Sequence, residues 1–355
     1  MGQARFFAIL EDSIQCKLCP RYCRLAAGEK GQCGVRVNRD GKPAIPYYGL
    51  VTGMALDPIE KKPLYHFRPG SEIFSVGFAG CNLHCPFCQN WHISQGLSAQ
   101  SMNIRGQSYT PAELINAVIS YKPAKYNIAA KQSIAYTYSE PLVHIEYLLD
   151  CMKEARKIGL ANVLVSNGCI NSEAAAELLE LCDAANIDLK CFSEETYLKL
   201  LGGDLSLVLD FIRAACERGV HIELTTLVVP GLNDSEKELA ACVDFIVSLN
   251  KKTTSGKSSI PWHLSAYHPN WKWKAPPTSP ELLNETAVSA RSQLSYVYTG
   301  NIRGEKNDTP CPYCGEILIK RRGFQTDISG LKLKEKNGKG FYFCSSCGEK
   351  APISH

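Results

Sequence analysis

Residues 81–88 read Cys81-Asn82-Leu83-His84-Cys85-Pro86-Phe87-Cys88, three cysteines at x3 then x2 spacing. Just upstream lies an apolar run, Ile73-Phe74-Ser75-Val76-Gly77-Phe78, and Gly80 precedes the first cysteine. The run predicts a β-strand, and Gly80 lets the chain turn sharply out of it. Three thiolates on one tight loop suit an iron–sulfur cluster, because thiolate is the usual ligand of such clusters. A four-iron cube with three protein ligands keeps one iron open, and an open metal position distinguishes a catalytic site from a structural one. Phe87 places an aromatic wall beside the third cysteine. The alternative is a structural knuckle, with His84 or His92 as a fourth ligand.

The composition sets the frame for that loop. At 355 residues, with 45% hydrophobic and 21% charged residues, the chain has the make-up of a soluble globular protein of about two to three domains. The apolar stretch Phe6–Leu10 is too short for a signal peptide and no run of 18 apolar residues occurs, so a cytoplasmic protein without a membrane span is expected. Seventeen cysteines then argue for metals in a reducing compartment rather than for a disulfide scaffold. Eleven of them fall into three spaced groups. The other six (Cys151, Cys169, Cys182, Cys191, Cys216, Cys242) read as small buried hydrophobes. The net charge of +4 equals that of residues 303–350, which hold ten Lys/Arg and six Asp/Glu. A solvated basic face is the expected reading, and nucleic acid is not an expected partner.

Three units follow. Residues 1–65 carry Cys16-x2-Cys19-x3-Cys23-x9-Cys33 in a segment too short to bury a core of its own, so a metal orders it. Four cysteines suit zinc or a second cluster equally. Residues 66–303 alternate strand and helix, with strands predicted at 72–78, 134–138, 161–166, 184–189, 220–229 and 261–267. Thr110-Pro111-Ala112-Glu113 is a capping box with Pro at the first helical position. Ile145, Leu148, Leu149 and Met152 share one helical face, and Ser235 and Ser279 open two later helices. Such alternation predicts an α/β fold with a parallel sheet and right-handed crossovers. Residues 253–259 read as a polar surface insertion, and 269–278 as a lid, a partner surface or a packed loop. The tail, 304–355, holds Cys311-x2-Cys314-Gly315 and Cys344-x2-Cys347-Gly348, 29 residues apart. This pattern predicts a zinc ribbon that docks on the core or caps the barrel mouth.

Cys-x3-Cys-x2-Cys after a first strand, with an aromatic before the last cysteine, resembles the radical S-adenosylmethionine (radical SAM) signature. That resemblance implies a partial (β/α)6 barrel, a 4Fe–4S cluster on Cys81, Cys85 and Cys88, and SAM on the open iron. Active sites of such barrels lie at the C-terminal strand ends. It also implies SAM contacts. Glu140, in Tyr138-Ser139-Glu140-Pro141, would face the methionyl ammonium, although both glycines of the family's Gly-Gly-Glu are absent; otherwise it caps the following helix. Ser166 and Asn167 would bind ribose hydroxyls or carboxylate, or form a plain Asn-Gly turn. Asp188 and Lys190, two apart on a strand, share one face; Lys190 would meet the carboxylate. His268 would lie on the adenosine, and Phe87 beside the cluster.

Taken together, Cys-x2-Cys-Pro-x2-Cys, Gly-Gln-Cys-Gly-Val-Arg, Cys-Asn-Leu-x-Cys-Pro-Phe-Cys-Gln-Asn, Tyr-x-Glu-Pro, Asp-Leu-Lys and the ribbon resemble the AmmeMemoRadiSam system radical SAM proteins. That family is related to pyruvate formate-lyase activating enzymes. Memo-like and AMMECR-like partners and an electron donor such as flavodoxin or ferredoxin are implied. The expected activity is hydrogen abstraction from a substrate that the sequence does not identify. The alternatives are activation of a glycyl-radical protein partner and a metal-organised module that binds nucleic acid or protein.

Overall fold

The computed structural model describes residues 3–97, 104–121, 133–249, 256–304, 307–336 and 339–354. An eight-stranded sheet runs in the order β8-β7-β6-β5-β4-β3-β2-β1. Its strands are β1 (Gly53–Pro58), β2 (Glu72–Gly77), β3 (Ser133–Thr137), β4 (Ala161–Ser166), β5 (Ala184–Asp188), β6 (His221–Val228), β7 (Trp262–Ala266) and β8 (Val297–Gly300). Strands β2 to β8 are mutually parallel, and β1 lies antiparallel on β2. The six apolar runs correspond to β2–β7, while β1 and β8 extend the two edges. Those edges do not pair with each other, so the barrel stays partial.

Helices α1 (Pro111–Ser120), α2 (Ile145–Lys157), α3 (Ser172–Leu179), α4 (Leu205–Glu217), α5 (Glu236–Ser248) and α6 (Pro280–Ala290) connect successive strands, as parallel pairing requires. Their starts follow local chemistry. The Thr110 hydroxyl accepts from the Glu113 N–H while the Glu113 carboxylate accepts from the Thr110 N–H. Ser235 and Ser279 accept from the amides of Glu238 and Leu282. In α2 the face expected to be apolar, Ile145, Leu148, Leu149 and Met152, is buried, each side chain contributing roughly 1.5–3 kcal/mol. The six scattered cysteines are all buried. Residues 253–255 of the polar insertion lie outside the described residues.

The N-terminal ends of the strands are plugged. Glu223 of β6 is fully buried and accepts four hydrogen bonds, from the amides of Tyr65 (2.9 Å) and His66 (2.7 Å) and from Nε2 of His221 (3.0 Å) and His263 (2.7 Å). His66 Nε2 meets the Tyr298 hydroxyl at 2.7 Å, and its Nδ1 lies 3.0 Å from the Pro352 carbonyl. The C-terminal unit contains the strands Ile317–Arg322 and Gln325–Asp327 and the hairpin Leu331–Lys336/Lys339–Cys344. Its buried Arg321 donates to the Tyr65 carbonyl (2.6 Å), and the Ser354 amide donates to the His66 carbonyl (2.7 Å). The ribbon therefore docks at the N-terminal ends of the strands. This corrects the expectation that it caps the mouth: the groups that fix it, Tyr65, His66 and His221, all sit at the opposite end.

Candidate functional site

A cavity of about 250 Å³ opens at the C-terminal strand ends, with Cys81, Cys85, Phe87, Cys88, Glu140, Asn167, Asp188 and Lys190 among the residues that line it. The sharp turn into it depends on Gly80. Its φ is +90°, and a Cβ there would lie 2.6 Å from both the Cys33 carbonyl and Val35. The N-terminal unit thus presses directly on the three-cysteine loop. Asn82 braces the loop by donating to the Cys169 carbonyl (2.7 Å), and Gln95 does so by donating to the Leu83 carbonyl (2.9 Å). The loop residues 269–278 pack against it as well: the amides of Lys272 and Trp273 both donate to the Pro86 carbonyl at 3.0 Å.

Polar groups turn toward the sulfurs. The Leu83 amide lies 3.3 Å from Cys81 Sγ, Asn167 Nδ2 3.8 Å from the same atom, and the Ser94 hydroxyl 3.3 Å from Cys88 Sγ. Burial pushes the Cys81 thiol well above its ordinary range and the Cys85 thiol up to about 12. Thiolates here need a compensating positive charge, which a bound metal centre provides. Among the described residues, Cys311, Cys314, Cys344 and Cys347 are the one group of three or more ligand atoms within 4.8 Å of one another. Cys311–Cys347 and Cys314–Cys344 are 3.7 and 3.8 Å apart. A zinc tetrahedron with arms of about 2.3 Å has edges of about 3.8 Å, so the ribbon fits one such ion. Cys81, Cys85 and Cys88 form no such compact set with His84 or His92. All three line one cavity, where thiolate is the usual ligand of an iron–sulfur centre. Cys16, Cys19, Cys23 and Cys33 likewise form no compact single-ion set.

Beside the thiols, Glu140 is buried and accepts from three uncharged donors: Ser166 Oγ (2.7 Å), the Asn167 amide (2.9 Å) and the Leu142 amide (3.1 Å). It therefore caps the turn at Pro141 and also lines the cavity. Burial outweighs these bonds and raises its carboxyl to about 7. Lys190 Nζ lies 3.0 Å from Asp188 Oδ2. Burial alone would lower the Lys190 ammonium, but Asp188 and the nearby thiols outweigh it and hold it above its ordinary value. Ser166 stands behind Glu140 rather than on the cavity wall. His268 is exposed, its Nε2 3.1 Å from the Asn301 carbonyl, and it does not line the cavity.

The sequence reading missed Tyr138. Its backbone is left-handed (φ +71°), and its ring lines the cavity. Its hydroxyl donates to Asp57 Oδ2 at 2.9 Å. Asp57 also accepts from Lys62 (2.8 Å) and Ser75 (2.9 Å). Burial would raise Asp57, but these partners hold it down at about 2. A Cβ on Gly77 would meet the Tyr138 ring at 2.7 Å, so that glycine makes room for the tyrosine. The available signal was a bulky residue beside Glu140 where the resembling family has glycine.

A family model described as the Radical SAM superfamily matches residues 75–243. The chain is 36% identical over 357 residues to an uncharacterized protein of Methanocaldococcus jannaschii, covering 99% of each. It is 26% identical over 204 residues to the pyruvate formate-lyase-activating enzyme of Staphylococcus epidermidis, covering 55% of this chain and 75% of that one. Among solved structures, Streptococcus suis SuiB bound to S-adenosylmethionine aligns with 65% of this chain and 52% of its own, at 14% identity and a TM-score of 0.46.

Proposed function

We propose that this enzyme, whose residues 75–243 match the Radical SAM superfamily model, binds S-adenosylmethionine in the cavity beside Cys81, Cys85 and Cys88 and cleaves it reductively. Cys81, Cys85 and Cys88 would hold a 4Fe–4S cluster, which would supply one electron to the sulfonium; methionine would leave, and the adenosyl fragment would take a hydrogen atom from the substrate. One observation carries this reading: three thiols from a single loop share one cavity with Glu140, Asn167, Asp188 and Lys190.

Each residue has a role there. Cys81, Cys85 and Cys88 hold the cluster, and Phe87 and Tyr138 exclude water from it. Glu140, which has only uncharged donors, receives the methionyl ammonium. Lys190 pairs with the methionyl carboxylate while Asp188 holds the Lys190 side chain in place. Ser166 and Asn167 position Glu140, and Asn167 reaches the cofactor itself; His268, which the resemblance would place on the adenosine, lies outside the cavity lining and is given no contact. The ribbon cysteines hold zinc, and Cys16, Cys19, Cys23 and Cys33 hold zinc or a second cluster. The three units expected at 1–65, 66–303 and 304–355 are kept with one change, since Gly53–Pro58 pairs with Glu72–Gly77 and belongs with the central sheet. The electron comes from a flavodoxin or ferredoxin in the cytoplasm, and Memo-like and AMMECR-like proteins are the partners that the sequence resemblance suggests. Among the described residues no helix is long and apolar enough to cross a membrane.

The similarity to pyruvate formate-lyase-activating enzymes favours a second reading, activation of a glycyl-radical partner. A glycine-centred EPR signal on that partner would identify it. The first test is anaerobic reconstitution with iron and sulfide, then dithionite and SAM, with iron, zinc and 5′-deoxyadenosine all measured. Deoxyadenosine with about four irons and one zinc supports one cluster and the ribbon and leaves the N-terminal cysteines metal-free or underfilled; about eight irons adds a cluster there. A filled cluster without deoxyadenosine, with or without candidate partners, contradicts the proposal.

A further inference from the structure

The outer face of the ribbon hairpin carries an arrangement unrelated to the cavity. In the Leu331–Lys336/Lys339–Cys344 pair, Lys332 lies opposite Phe343 and Lys334 opposite Phe341. Lys350 bridges to Phe343 from the other side. Directly paired residues project to the same side of a sheet, so these five side chains share one face. The opposite face is the one that holds the unit together: Tyr342 and Cys344 are buried there with Leu318, Ile319 and Ile353. Glu335 pairs with Gly340 and points away from the lysines.

The outward face is thus a grid of two half-buried phenylalanines interleaved with three exposed lysines. Lys334 Nζ lies 4.6 Å from the Phe343 ring centre and Lys350 Nζ 4.5 Å from that of Phe341. Two of the ammonium groups cover a ring face each, so a phosphate that draws them aside uncovers the rings next to it. Two residues apart on one strand, the rings are roughly 7 Å from each other, far enough for each to take its own planar group. Aromatic platforms with cations between them bind single-stranded nucleic acid without sequence preference: bases stack on the rings and phosphates meet the cations. A folded acidic protein would answer the lysines but would leave the two rings without planar partners.

We propose that this face binds single-stranded nucleic acid, with Phe341 and Phe343 stacking on bases and Lys332, Lys334 and Lys350 meeting phosphates. This revises the expectation of a merely solvated basic face. The ribbon docks at the N-terminal ends of the strands, so the bound strand is held away from the cavity, and the site acts as an anchor.

The test uses the full-length, zinc-loaded protein and the fluorescence anisotropy of labelled 20-mers of oligo-U and oligo-dT, with duplex DNA and poly-glutamate as competitors. Both single strands are expected to bind better than duplex, with a salt slope of roughly −2 for three phosphate contacts. Replacing Lys332, Lys334 and Lys350 together by Ala is expected to weaken binding at least tenfold. Phe341→Leu is expected to weaken it about tenfold while the salt slope stays the same. Zinc content and thermal unfolding check that each variant is folded. The triple lysine variant lies on the surface, so the test survives a misfolded Phe341→Leu. The proposal is overturned if the triple variant binds as the wild type does. It is also overturned if poly-glutamate competes as well as oligo-U, which would assign the face to an acidic protein, or if no single strand binds.

Discussion

Glu140 and Glu223 are both buried, at opposite ends of one sheet, and their surroundings hold them in opposite ways. At the N-terminal end, burial would raise the Glu223 carboxyl. Hydrogen bonds from His221 and His263 outweigh it and hold the group well below the usual carboxylate range. At the C-terminal end Glu140 meets, among the described residues, only a hydroxyl and two amides, and burial keeps it up near 7. The first carboxylate is electrostatically complete within the protein. The second faces a cavity and lacks a cation, as a site for an ammonium group would. The cysteines divide in the same way. Those of the ribbon converge to single-ion distances, while those of the loop line an opening.

Experiments can break this contrast, beginning with the largest effect. Cys81→Ala is expected to lower bound iron after reconstitution by about four per chain while zinc stays at the wild-type level; parallel loss of both metals would mean that the two ends are not independent. Glu223→Gln removes the charge from a buried network and is expected to cost about 3 kcal/mol of unfolding free energy. Glu140→Gln, whose partners are uncharged, is expected to cost about 1 kcal/mol but to weaken SAM binding at least tenfold. Chemical denaturation and SAM titration of both variants check the pair, and equal stability losses would erase the distinction.

A pH effect comes from the same plug. Burial lowers His66 to about 3, below its unfolded value near 6.5. The folded state therefore binds fewer protons, and stability falls as pH drops through the window from about 6.5 toward 3. From pH 7 to 5 His66 by itself contributes a loss of about 2 kcal/mol, which the raised Glu140 carboxyl opposes over the same window, so the check is the difference in pH dependence between the wild type and His66→Gln. A smaller effect than that of Glu223→Gln tests the residue that joins the two regions. Tyr138→Phe loses the bond to Asp57 and is expected to cost about 1.5 kcal/mol, while iron loading stays intact. Loss of iron in that variant would make Tyr138 part of the cluster support.

Much of this organisation was legible in the sequence. The apolar runs of β2–β7, the caps at Thr110, Ser235 and Ser279, and the two knuckles of the ribbon are local patterns, and local patterns survive folding. The edge strands were not legible. Gly53–Pro58 begins and ends on residues that seldom favour a strand, and Val297–Gly300 is only four residues long. Asp57, Lys62 and Tyr138 meet across more than 75 residues of chain, which no periodicity records. Likewise, a Cys-x2-Cys pair announces a metal but not the end of the barrel on which its unit lands. That was decided by Arg321 and the 352–354 backbone meeting Tyr65 and His66.

The most direct measurement compares 5′-deoxyadenosine release from SAM by wild type, Cys85→Ala and Cys314→Ser, all reconstituted anaerobically and reduced with dithionite. The expected result is product from the wild type, none from Cys85→Ala, and product in proportion to folded protein from Cys314→Ser. Product from Cys85→Ala at the wild-type rate would contradict the assignment of SAM cleavage to the three-cysteine loop.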